Sequence, residues 1–191
     1  MILIDTREKP KAISKIIKYF DDNKIEYDSS KLYVGDYQNL DNPKIVVDRK
    51  QNLAEIMQNI TQKRFKEELI RAKKAGIHLI ILIEHSKDIK KIEDVEKWRN
   101  PRLDYYCLSL KKQLGLWGSY NEWYLYNAAK EKGLSPRRPP QNSTQLMKSL
   151  ITIQNNKEDY DCEFLFCDKT QTGPLIYKLL CTEQLTLDNF L

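Results

Sequence analysis

Ile77-His78-Leu79-Ile80-Ile81-Leu82-Ile83-Glu84 is the stretch on which the fold turns. It has the length of a strand and falls far short of the roughly 20 apolar residues that span a bilayer. A strand this apolar offers no polar face to water, so it belongs in the middle of a sheet covered on both sides. Gly76, just before it, is a natural stop for a helix. Residues 62–75 supply that helix, with Phe65, Leu69 and Ala72 inward. Further back, Leu53, Ile56, Met57 and Ile60 mark another, capped by Asn52. Residues 32–37 and 44–50 read as two strands joined by a polar turn through Asn39, Asp41, Asn42 and Pro43. Before them come a short strand at 25–28, a helix at 11–22 with Ile13, Ile16, Ile17 and Phe20 on one face, and the buried strand Ile2-Leu3-Ile4-Asp5.

On the other side of the apolar strand the texture changes. Residues 85–141 open highly charged, turn rich in Trp and Tyr, and close with Pro136-Arg137-Arg138-Pro139-Pro140. This reads as an insertion of two helices with a Pro-rich return. Core pattern resumes with a helix at 142–156, a strand at 162–166 and a helix at 174–180. Strands alternating with helices predict an α/β fold: a mixed central sheet flanked by helices, carrying a helical, aromatic-rich insertion. The expected organisation is a single domain over 1–181 followed by a tail, 182–191.

With 191 residues, 41% hydrophobic and 31% charged, the composition is that of a globular domain without a membrane segment. No basic, apolar leader precedes the first strand, so the expectation is an intracellular protein that is not secreted. Cys107, Cys162, Cys167 and Cys181 form no metal-binding spacing, and buried reduced thiols are expected. A net charge of +5 is compatible with nucleic acid without requiring it.

Hydrolysing a phosphodiester brings a nucleophile to an anion that repels it. Carboxylates holding a hard divalent cation, with a cationic side chain beside them, answer that problem. Asp36 shares a face with Leu32 and Val34 at period two. In Ile45-Val46-Val47-Asp48-Arg49-Lys50, Asp48 and Lys50 lie on one face and Arg49 on the other. If the two strands pair, Asp36 and Asp48 converge with Lys50 one pleat beyond. Asp-x-Lys alone is a weak signal that reads first as a salt-bridged strand end; its surroundings reverse that reading.

Those surroundings are Asp5-Thr6-Arg7-Glu8, then Gly35-Asp36-Tyr37, then Val47-Asp48-Arg49-Lys50, in order. The series resembles the nuclease domain of the XPF family of structure-selective endonucleases, whose pattern is Asp-x-Arg-Glu, Gly-Asp and Glu-Arg-Lys-x-x-x-Asp. The likeness continues through Arg64-Phe65, Glu68-Leu69, Phe164-Leu165-Phe166-Cys167 and Thr172-Gly173, over roughly 1–84 and 142–181. It implies a restriction-endonuclease-like fold and a metal-dependent DNA endonuclease, acting on branched or flapped DNA in replication, recombination or repair. It further implies Mg²⁺ or Mn²⁺ held by Asp5, Asp36 and Asp48 with Glu8 as ligand or neighbour. Lys50 would be base or orienter, and Arg7 and Arg49 would contact the phosphate or fix the carboxylates. A homodimer, and location in the cytoplasm or at sites of DNA replication, are implied in the same way. Two departures stand out. Asp48 occupies the usual Glu position, and the last acid of the pattern falls on Ala54, with Glu55 one residue later and about 100° further round the helix. These departures leave a non-catalytic DNA-binding subunit as the alternative. A sequence-specific restriction-type enzyme and an RNA-directed nuclease are further rivals.

On the basic helix after the acids, Arg64 and Arg71 are candidate phosphate contacts, as are Arg137 and Arg138 between the prolines. The insertion's aromatic residues are expected to form a small satellite core; stacking on unpaired bases is the alternative. His78 and His85 read as lone, and Glu84 as ordinarily solvated. The tail resembles the peptide that docks on sliding clamps, with Gln184, Leu187, Phe190 and Leu191 as the contacting residues. After Gly133 only Gly173 remains, so no helix-hairpin-helix module is expected. A short Lys-, Ile- and Asn-rich nuclease of this kind suits a virus or mobile element.

Overall fold

Strands β1 (Ile2–Asp5), β2 (Tyr27–Ser30), β3 (Tyr37–Asn39), β4 (Asn42–Lys50), β5 (His78–Glu84) and β6 (Cys162–Cys167) form one sheet in the order β2-β1-β3-β4-β5-β6. The computed structural model describes residues 1–85 and 88–181. β1 runs parallel to β2 and antiparallel to β3, β3 is antiparallel to β4, and β4, β5 and β6 are mutually parallel. β5 is central to the parallel half, as its apolar run requires: Leu79 through Ile83 are all buried.

Helices α1 (Pro10–Asp22) and α7 (Thr172–Cys181) cover one face of the sheet, and α2 (Leu53–Ile60) and α3 (Lys63–Lys74) the other. Ile80 and Leu82 join Ile13, Ile16, Phe20 and Ile176 in the core beneath α1 and α7. α2 begins where Asn52 Oδ1 accepts the backbone N–H of Glu55 at 2.9 Å, the capping bond expected of that residue.

The strand expected over 32–37 is absent, and pairing begins only at Tyr37. Leu32 and Val34 are buried and Tyr33 is exposed, so the alternation is real. The backbone bends, however, and Gly35 has φ +66°, a left-handed conformation no strand uses. A Cβ there would stand 2.5 Å from Val46 Cγ1. This bend, not a strand, delivers Asp36.

The chain divides into two compact units, one of Met1–Asp94 with the chain from Ser149 onward, the other Val95–Lys148. The second contains α4 (Pro101–Leu114) and α5 (Glu122–Glu131), and α6 (Ser143–Asn155) begins in it. Asn100 caps α4, and Gly115 ends it at φ +67°. The Pro-rich return is fastened where Tyr106 OH donates to the Arg137 carbonyl at 2.8 Å. The satellite core of this unit is aliphatic: Leu110, Leu114, Leu125 and Ala129. That corrects the expectation of an aromatic core: among the described residues, Tyr106 is the only ring of the unit that packs against this cluster. Among the described residues no helix is long and apolar enough to cross a membrane. The clamp-type peptide, Gln184, Leu187, Phe190 and Leu191, lies outside the described residues.

Candidate active site

Because β1 and β4 are parallel and β3 runs between them in the opposite sense, the ends of β1 and β4 and the start of β3 meet at one edge of the sheet. Asp5, Asp36 and Asp48 therefore gather there, though they are 43 positions apart in sequence from first to last. The Asp36 N–H donates to the Val47 carbonyl at 2.8 Å, and Asp36 Oδ2 accepts the Arg49 N–H at 2.8 Å. Asp36 is thereby pinned beside Asp48 from both its backbone and its side chain.

A cleft of about 270 Å³ opens at this edge, lined by Arg7 and Glu8, Gly35 and Asp36, and Asp48, Arg49 and Lys50. Its far wall comes from α2 and α3: Glu55, Asn59, Gln62, Arg64, Phe65 and Glu68. The alternation of β4 sorts its last three residues. Asp48 and Lys50 face α2 and α3, and Lys50 Nζ donates to Asp48 Oδ1 at 2.5 Å. Arg49 turns to the opposite face, where Nε donates to Glu84 Oε1 at 2.9 Å, Nη1 to Glu8 Oε2 at 3.3 Å and Nη2 to the Ala12 carbonyl at 3.0 Å. Glu84 also accepts from Thr172 Oγ1 at 2.9 Å. Glu84 is thus buried, not solvated as expected; its countercharge lies 35 residues away in sequence and next to it in space.

Asp5 does not line the cleft. Its carboxylate takes Arg7 Nε at 2.6 Å, Arg7 Nη2 at 2.8 Å and the Leu32 N–H at 2.8 Å. Against the effect of burial, these bonds hold its pKa below the ordinary value. This two-pronged pair fixes the half-exposed Arg7 at the rim. Arg64 lines the cleft, whereas Arg71 does not, and Arg137 and Arg138 belong to the second unit.

Burial, and then Asp48 beside it, hold the Asp36 carboxyl well above the usual carboxylate range. Burial alone would lower the pKa of Lys50, but Asp48 and Asp36 outweigh it and leave the ammonium above its ordinary value. Glu8 is raised by burial despite Arg49 and the Tyr37 hydroxyl. Asp48 Oδ2 is buried without a hydrogen-bond partner among the described residues. A buried carboxylate with an unused oxygen, Asp48, beside a half-buried one reluctant to ionise, Asp36, matches the oxygen donors that a hard divalent ion takes. Among the described residues no group of three or more acids, Cys or His is arranged to hold a metal. A pair of carboxylates suits an ion that keeps most of its water and uses only one or two of them.

Four cleft residues were not assigned to the site from the sequence, although Phe65 and Glu68 belong to the family likeness. Asn59 and Gln62 sit at the junction of α2 and α3, and nothing marks a turn as a cleft wall. Phe65 and Glu68 come from the next helix, whose charge pattern looks like a solvated face; Glu68 Oε1 accepts the Gly35 N–H at 3.1 Å. Glu55 does reach the cleft, with one oxygen accepting the Gln51 N–H at 2.9 Å.

The sequence matches the family model described as ERCC4 domain over residues 4–179. The fold is similar to that of XPF from Aeropyrum pernix in complex with DNA, with a TM-score of 0.52 and 14% identity over 93% of this chain and 62% of that one. It is also similar to XPF from Aeropyrum pernix, with a TM-score of 0.48 and 16% identity over 94% and 64%. The chain thus spans less than two thirds of either solved chain. No curated protein sequence matches it. With a match across almost its whole length, and with the three acidic segments at one sheet edge, this chain belongs to the ERCC4 domain family.

Proposed function

We propose that this protein is a metal-dependent DNA endonuclease that hydrolyses one backbone phosphodiester at the edge of β1, β3 and β4. The observation that carries the reading is the placement of Asp36 and Asp48 side by side in a cleft with Lys50 on Asp48 Oδ1 at 2.5 Å. Family membership supports the nuclease class, and the DNA in the complex of Aeropyrum pernix XPF supports DNA as its substrate.

Asp36 and Asp48 are the residues that would hold Mg²⁺ or Mn²⁺, with Glu55 and Glu8 at the margins of the cleft. When bound, such an ion neutralises phosphate charge and acidifies water. The protein's own side chains supply the rest. Lys50 keeps its proton at Nζ, so it orients water and balances developing negative charge and does not act as the base. Arg7, braced by Asp5, presents its guanidinium to a phosphate at the cleft mouth. Arg49 is fully engaged by Glu8, Glu84 and Ala12, and its task is to hold carboxylates in place. Arg64 extends the positive rim along the path of the strand. A branched or flapped substrate, a homodimer and clamp docking through the tail complete the proposal.

Labelled flap, fork, four-way-junction and linear duplex DNA, incubated with Mg²⁺, Mn²⁺ or EDTA, test it. Metal-dependent cutting near the branch, reduced at least a hundredfold by Asp48→Ala and by Lys50→Ala, is the expected result. Firm DNA binding with no cutting in either metal would assign the protein to the non-catalytic class.

A further inference from the structure

The second unit, Val95–Lys148, is built the wrong way round for an ordinary satellite domain. It holds all three tryptophans of the chain, yet its core consists of leucines and alanine. Five of its eight Trp and Tyr rings lie outside, among them Trp117 at 92% exposed, Tyr105 at 73%, Tyr124 at 50% and Trp123 at 47%, while Tyr106 packs against that core. Apolar surface left in water at this density marks an interaction site.

The rings are ordered among themselves. Tyr120 and Tyr124 stack at 5.0 Å with planes 11° apart, and Trp123 meets Tyr126 edge to face at 5.6 Å. Lys130 Nζ stands 4.7 Å above the Tyr126 ring. Lys130, and after it Arg138, lower the pKa of the Tyr126 phenol, so two cations act on the ring that Trp123 meets edge to face. Charge narrows the partner further. The unit's 54 residues carry ten Lys and Arg against four Asp and Glu, a net +6, which leaves the rest of the chain at −1. Exposed rings interleaved with cations match a strand whose bases are free to stack and whose phosphates need neutralising. In a duplex the base faces are already occupied by their neighbours.

We propose that this unit is a platform for an unpaired DNA strand, with bases stacked on Trp117, Trp123 and Tyr124 and phosphates held at Lys130 and Arg138. The assignment rests on the nuclease reading above and gives the single-stranded arm of a branched substrate its place on the chain.

The test uses the whole chain in EDTA, so that binding is read without cleavage. Anisotropy of a labelled 20-nucleotide strand and of a 20-base-pair duplex is followed for the wild type, Trp117→Ala, Trp123→Ala, Tyr124→Ala, the triple variant and Trp117→Phe. Each single alanine variant should weaken strand binding by roughly tenfold, with Trp117→Phe near wild type and duplex binding unmoved in all. Tryptophan emission should be quenched as the strand saturates the wild type. A triple variant that binds the strand as the wild type does would overturn the proposal and leave the rings to a protein partner. Tighter binding of an RNA strand of the same sequence would overturn the assignment to DNA. Asp48→Ala separates the two readings: it should lose cutting while keeping strand binding. Ring-dependent strand binding without any cutting by the wild type would sink the nuclease reading and support this one.

Discussion

At the scale of single residues, the site is a set of groups held against their own preferences. Asp36 is the clearest case, a carboxyl whose pKa is raised by burial and by Asp48. A raised carboxyl pKa means the folded chain binds that proton more tightly than the unfolded chain does. The resulting contribution is present at low pH and is lost as pH rises past the folded value, so at neutral pH the ionised group is a net cost to the fold. Asp36→Asn removes the charge while its amide oxygen can still accept the Arg49 N–H. The variant should therefore be more stable than the wild type in EDTA, by about 1 kcal/mol, as read by urea unfolding. Mg²⁺ should stabilise the wild type and have little effect on Asp36→Asn. Equal stabilisation of the two proteins by Mg²⁺ would remove Asp36 from the ion's site. Asp36, Asp48 and Lys50 were legible because Gly35-Asp36 and Asp48-Arg49-Lys50 follow Asp5-Thr6-Arg7-Glu8 in the order of a known nuclease pattern, whereas Asp-x-Lys alone reads as a salt bridge. It could not expose the partners of Arg49, because Glu8, Ala12 and Glu84 reach it only through the sheet's strand order.

At the scale of elements, β5 and β6 are joined by more than their ladder. His78 at the start of β5 lies between Glu163 of β6, whose Oε2 is 3.8 Å from Nε2, and Asp161, whose Oδ1 is 2.8 Å from Nδ1. The histidine is therefore not lone, as its isolation in sequence suggested. Glu163 and Asp161 together outweigh burial and raise its pKa above 6.5. For a raised histidine, the stabilisation is complete below the unfolded value and is lost as pH climbs through the folded one. Wild-type stability should then fall, from near 6.5 upward, by on the order of 0.5–1 kcal/mol after allowance for water at this partly exposed site. His78→Gln should lack that component, so urea unfolding of both proteins at pH 6 and pH 8.5 checks it; parallel losses in the two would dismiss the ion pair. Elements with a strong period were legible: the apolar run of β5, the amphipathic α1, and α2 with its Asn52 cap. Residues 32–36 misled because burying every second side chain is as easy for a bent segment as for a strand, and only the left-handed Gly35 separates the two. The insertion's helices were legible as helices, whereas the side of their rings that meets water was not, since hydrophobicity does not say which of two apolar sets fills a small core.

At the scale of the whole molecule, charge and chemistry are divided between the two units. The cleft is rich in acids, and the chain outside Val95–Lys148 sums to −1, so DNA gains little general attraction from the part that would cut it. The net +6 of the second unit must supply that attraction if the chain binds DNA with useful affinity. Each phosphate neutralised releases counterions, and the slope of log affinity against log salt falls by about 0.7 per phosphate for a single strand. Replacing Lys111, Lys112, Arg137 and Arg138 with Gln should therefore flatten the slope of the full chain by roughly 2 to 3, with affinity lost most at low salt. Lys11, Lys15, Lys24 and Lys31 form a control set of the same size, exposed and in the first unit. Their replacement with Gln changes net charge by the same amount and should change the slope far less. If the two quadruple variants lose affinity and slope alike, the attraction is a property of net charge and not of the second unit. If only the first does, the molecule has one unit that holds the strand and another that carries the chemistry.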